Sequence, residues 1–180
     1  MRGVVGGRGP CRALVSCCLV VPLFGDVPVH AGAPEGGHVA TTPPRPALED
    51  TVPDLKLARQ GARERLGDTR CRAVLADFRS VTGHRLDEVL AARGRTAQEQ
   101  LDLLAFESGL GRYVCARPAT MAATRIHSSV VSICLRPFTL LPPKEQEAVL
   151  IHEMLHSLGL GENPPESVAI TAQVLKRCGH

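Results

Sequence analysis

Two periods of apolar and polar positions run along the chain. A helical period first emerges at 55–66, an Arg-rich stretch, and resumes at 69–80. There Cys71, Val74, Leu75 and Phe78 fall at i, i+3, i+4 and i+7, up to a break at Thr82-Gly83. Residues 86–92 read as a short helix ending at Gly94. Thr96-Ala97-Gln98-Glu99 has the form of a capping box and predicts a helix through Leu101, Leu104 and Ala105, stopping by Gly109 or Gly111. Residues 112–116 and 128–135 carry β-branched side chains with partial alternation and predict strands. Pro142-Pro143 closes that region and opens the next helix, because proline in a first turn lacks only an N–H that has no partner there. That helix runs through Val149-Leu150-Ile151 and must end by Gly159 or Gly161. Asn163-Pro164-Pro165 predicts a rigid turn and Ser167 a cap for a last helix over 168–178, where Ile170, Val174 and Cys178 keep one face apolar. Together these elements predict an α+β fold, with helices before and after a small sheet, in a single domain over 54–180.

No apolar period is visible ahead of it. Arg2, Arg8 and Arg12 precede an apolar run over 13–24, and Val29-His30-Ala31 places small residues where a signal peptidase reads. Residues 1–31 are therefore expected to be a signal peptide, its apolar run too short to span a bilayer, which takes roughly 20 residues. Leu14-Val15-Ser16-Cys17 is a rival lipobox reading, weakened by Arg12 just upstream. Residues 32–53, with five prolines and no period, read as a linker or pro-segment in which His38 is solvated. The expected location is secreted or periplasmic.

Composition changes the picture little. Hydrophobic residues make up 44% of the 180, and with no Trp and one Tyr the core must be filled by aliphatic side chains. Without the expected signal peptide, 18 basic residues face 17 acidic ones. That balance gives no electrostatic case for nucleic acid or for stable association with an anionic membrane. Cysteine says more. Removing Cys11, Cys17 and Cys18 with the signal leaves Cys71, Cys115, Cys134 and Cys178, an even set that in a small exported domain implies two disulfides in one of three connectivities. Cys71 and Cys178 both lie on apolar helix faces, and Cys115 and Cys134 both lie in strand-like runs, so the pairs expected are Cys71–Cys178 and Cys115–Cys134.

The chemistry sits in the helix after Pro143. His152-Glu153-Met154-Leu155-His156 is H-E-x-x-H, and residues four apart on a helix share a face, so both imidazoles can reach one zinc ion. Leu150, Met154, Leu155 and Leu158 can then face the core while His152, Glu153 and His156 face a cleft. A catalytic zinc takes a third protein ligand and leaves a position for water. Glu162 is favoured, because Gly159 and Gly161 permit a sharp turn after the helix. Glu166, His180, His127 and His84 are the alternatives.

The stretch from His152 to Glu162 resembles the zincin metallopeptidases, and within them the metzincin pattern H-E-x-x-H-x-x-G-x-x-H/D. Two departures stand out: Glu where that pattern has His or Asp, and no Met after Met154. The longer run HEMLHSLGLGENPP, with the four cysteines, is similar to small secreted bacterial zincin-like proteins. The resemblance implies that His152, His156 and Glu162 hold zinc, and that Glu153 is the general base for a water activated at the metal. The implied substrate is a protein or peptide, bound extended along an edge strand for which 130–135 is similar in place. Tyr113, Arg125 or His127 could steady the oxyanion. Two further readings stay open. One is a zinc hydrolase of a non-protein amide of the peptidoglycan type; the other is a non-catalytic secreted binding module stapled by zinc, against which Glu153 argues.

Overall fold

The structure, a computed structural model, describes residues 47–179. The expected signal peptide, Cys11, Cys17, Cys18, His38 and most of the expected linker lie outside the described residues. In chain order the elements are α1 (Leu48–Thr51), α2 (Pro53–Gly67), α3 (Thr69–Arg72), α4 (Val74–Asp77), α5 (Leu86–Ala92) and α6 (Ala97–Asp102). Then follow β1 (Ala105–Ser108), a 3-10 turn (Tyr113–Ala116), β2 (Ala122–Thr124), β3 (Val130–Ile133), α7 (Leu135–Thr139), α8 (Pro143–Ser157) and α9 (Ser167–Cys178).

Helix α8 is the axis of the packing. Pro143 starts it, and every side chain from Ala148 to Ser157 is buried. A helix buried on all sides needs neighbours on all sides. α2 supplies one, burying Leu55, Ala58, Ala62 and Leu66. Its Gly61 lets the two helices close: a Cβ there would meet Glu147 Oε1 at 2.5 Å. Glu147 is in turn paired with Arg65, which also donates to the carbonyl of Cys178. α9 covers another side with Ile170, Val174 and Cys178. The sheet closes a third, in the order β1-β3-β2, with β1 parallel and β2 antiparallel to β3.

The α+β architecture, the small sheet and both cysteine pairings are as expected, with Cys71–Cys178 and Cys115–Cys134 bonded. The capping box forms too: Glu99 N–H donates to Thr96 Oγ1 at 3.2 Å and Thr96 N–H to Glu99 Oε2 at 2.8 Å. Elsewhere tertiary pairing overrides local pattern. The helix expected to run through Ala105 ends at Asp102, because Ala105 N–H donates to Ser129 O and opens β1 beside β3. Residues 113–116 form a 3-10 turn rather than a strand. The helix expected over 69–80 breaks at Ala73, and its end becomes extended where Arg79 pairs with Arg85 and Ser80 with Leu160. Ser167 is the first residue of α9 and Glu166 its N-cap. Leu48 and Val52, inside the expected linker, already pack on the core.

Candidate metal centre and cleft

His152 and His156 project from the same side of α8, each about 95% buried, with their Nε2 atoms 2.9 Å apart. Glu162 is brought to them by the way the helix stops. Leu158 caps it, and Gly159 turns the backbone at φ +108°, a region L side chains rarely adopt. Gly159 N–H donates to His156 O, and Leu160 N–H to Leu155 O. Gly161 does not share the positive φ, so Gly159 alone makes the turn anticipated from both glycines. A Cβ on Gly159 would also lie 2.4 Å from His127 Cε1 and 3.2 Å from Ser80 Cβ. Gly159→Ala is therefore expected to cost about 2–3 kcal/mol through backbone strain and overpacking. A urea titration measures it.

Glu162 Oε1 then lies 3.5 Å from His152 Nε2 and 3.3 Å from His156 Nε2. A tetrahedral ion with roughly 2.0–2.1 Å bonds to N and O separates its ligand atoms by about 3.3–3.4 Å; the two separations to Glu162 are close to that, and the 2.9 Å between the imidazoles is shorter. The outer nitrogens are oriented for the same task. His156 Nδ1 lies 2.9 Å from Leu160 O. A carbonyl only accepts, so Nδ1 carries the hydrogen and Nε2 is the nitrogen left to face the cluster. His152 Nδ1 lies 2.9 Å from Thr171 Oγ1, a hydroxyl able to serve either tautomer. The hydrogen bond with His152, together with the charge of His156 and a hydrogen bond from Ser167, holds the Glu162 carboxyl down to about 2 against partial burial. Among the described residues these three are the group able to hold a metal. Of the other candidates, Glu166, at the N-cap position of α9, and His84 lie outside the cluster, and His180 lies outside the described residues. His127 donates its backbone N–H to His156 O while its ring packs on Gly159.

Glu153, one residue round the helix, is 5% exposed. Burial is the chief influence on it and raises its carboxyl from 4.5 to about 7; His156 and Thr124 oppose the rise and Glu162 adds to it. The native state then holds this proton more tightly than the unfolded chain. Its stabilisation is complete below pH 4.5 and is lost as pH climbs through about 7. Metal-free protein is expected to lose stability over that interval relative to Glu153→Gln. Urea midpoints at several pH values measure the difference.

The cluster sits between two cavities. One, of about 620 Å³, is lined by Met121, Leu141, Val149, Val168 and Leu175 together with His152, Glu153 and Glu162. The other, of about 460 Å³, runs along 122–126 beside Glu153, His156 and Glu162. β2 borders both and is an edge strand, whereas β3, the strand singled out from its apolar run, is central in the sheet. The short Ala-Ala-Thr of β2 has no apolar pattern to reveal it. Of the three oxyanion candidates, Arg125 lines the cleft; Tyr113 is 78% exposed with the Arg117 guanidinium over its ring. Thr124 and Thr171 escaped sequence reasoning altogether. The one available signal was Ser167 and Thr171, four apart on the first turns of a helix following the motif. No protein-family model, curated protein or solved structure matches the chain.

Proposed function

We propose that the chain is a zinc-dependent metallopeptidase. The observation that carries the reading is the spacing of His152, His156 and Glu162 about one point, with the buried carboxylate of Glu153 beside it and a cleft on either side. A buried polar atom also fits an occupied site: Glu153 Oε2 has no hydrogen-bond partner within the described protein.

Zinc bound by these three residues supplies Lewis acidity, lowering the pKa of water from about 16 to about 7 and polarising a carbonyl. The protein does the rest. Thr171 and the Leu160 carbonyl fix the imidazoles. Glu153 accepts a proton from the attacking water and returns it to the leaving amine as the C–N bond breaks, a task suited to a carboxyl near 7. Arg125 lines the cleft and would oppose charge developing on the carbonyl oxygen. The edge of β2 suits an extended peptide, whose backbone can pair with a free strand edge. Two disulfides suit an oxidising compartment, in keeping with export. Among the described residues, no helix is long and apolar enough to cross a membrane.

Incubating the oxidised protein with casein or gelatin tests this. Cleavage that a zinc chelator abolishes and added zinc restores is the expected result. Cleavage indifferent to the chelator contradicts it.

A further inference from the structure

The walls of the 620 Å³ cavity are held in two different ways. Its inner side is built on α8 and α9, through Val149, Val168 and Leu175. Its outer side is the segment 109–121, which contributes Val114, Arg117 and Met121. None of residues 110–121 is buried, and Leu110 and Tyr113 are 91% and 78% exposed. Backbone hydrogen bonds tie this segment to the end of β3 at its two extremities: Gly109 N–H donates to Ile133 O at 2.8 Å, and Cys134 N–H donates to Met121 O at 2.9 Å. Those donated by Arg112, Cys115, Arg117 and Thr120 close within the segment itself. Between the extremities lie the Cys115–Cys134 bridge and a half-exposed ion pair from Arg112 to Glu107. Exposed ion pairs contribute little, whereas the bridge fixes Cys115 to a buried residue. Gly109 makes room for it, since a Cβ there would run into Cys115 Sγ.

We infer that the Cys115–Cys134 bridge positions substrate, by pinning the middle of segment 109–121 as the outer wall of a subsite for one large apolar side chain. This deepens the peptidase reading and rests on it. His152 and Glu162 line the same cavity, so the side chain it takes belongs to a residue flanking the bond to be cleaved. The walls set the chemical class. Met121, Leu141 and Leu175 pack on the core with one side and leave another open to the cavity, which an aliphatic or aromatic side chain covers. The two rim charges, Arg117 and Glu145, are of opposite sign and favour neither an acidic nor a basic side chain. Without the bridge the outer wall hangs from its two ends. The subsite then loses its shape, while α8 keeps His152, His156 and Glu153 where they are.

The test compares zinc-loaded wild type, Cys115→Ala/Cys134→Ala and Val114→Asp on two quenched fluorescent peptides. Both peptides are built around a casein site that wild type cuts, with Leu or with Ala on both sides of the cleaved bond. Wild type is expected to prefer the Leu peptide by about tenfold or more in kcat/KM, the worth of a large side chain in an apolar pocket. The double alanine variant should raise KM on the Leu peptide about tenfold and keep kcat and bound zinc within about twofold of wild type, because what it loses is binding common to ground and transition states. On the Ala peptide it should match wild type. Val114→Asp keeps the bridge and puts a charge on a half-buried position of the wall, so it decides the matter where the double variant fails to fold. It too should lose the Leu preference. Wild type indifferent to Leu or Ala, full Leu preference in either variant, or a double variant that loses zinc or kcat as much as it gains in KM overturns the inference and leaves the peptidase reading standing. Wild-type protein that cleaves no casein and neither peptide overturns both.

Discussion

Replacing Glu153 by glutamine is expected to lower kcat on a peptide substrate by about 10²–10⁴-fold while bound zinc stays at the wild-type level. The substitution keeps size and burial and removes only the ability to take up and hand on a proton. The other groups of the cluster are poorly suited to substitute. Glu162 is held near 2 by its contact with His152 and is too weak a base. His152 and His156 have their outer nitrogens engaged by Thr171 and the Leu160 carbonyl. Glu153 is not among the three donors that converge, so the metal has no reason to leave with it. Steady-state kinetics paired with metal analysis separates the outcomes. Full activity in the glutamine variant would remove Glu153 from the chemistry, whereas loss of zinc would make it a ligand.

The largest stability effect is expected from opening Cys71–Cys178. This bridge joins residues 107 apart in sequence, and the entropy of the loop it closes amounts to about 4.8 kcal/mol. The double replacement Cys71→Ala/Cys178→Ala should lower the urea midpoint accordingly. The same pair at Cys115 and Cys134, 19 residues apart, should cost less, about 3 kcal/mol. The long bridge has a functional side as well. It anchors the end of α9, the helix whose first turns bring Ser167 to Glu162 and Thr171 to His152. Zinc affinity is therefore expected to fall in the first variant. Equal destabilisation by both pairs would contradict the loop argument.

What could be read from the sequence depended on how local its cause was. The extent of α8 was legible because Pro143 and Gly159 bound it and because its motif lies one helical turn apart on one face. Cysteine pairing was legible because Cys71 and Cys178 each occupy an apolar helix position that must turn inward. Glu162 was legible from the glycine before it, though only Gly159 carries the turn. The sheet was not. β1 continues an apolar helical period and becomes a strand only because β3 is beside it, and β2 is three small residues recognised by their pairing alone. Roles that arise when distant elements meet follow the same rule. Thr171 reaches His152 across 19 residues, and Thr124 reaches Glu153 from the sheet edge, so neither leaves a mark in spacing.

His152, His156 and Glu162 are proposed to form one metal site. Equilibrium zinc binding to the oxidised protein and to Glu162→Ala tests it most directly. About one zinc per chain is expected for wild type, with the affinity of the alanine variant reduced by a factor of about 100 or more through loss of one of three protein ligands. Wild type without zinc, or Glu162→Ala with undiminished affinity, would contradict the claim.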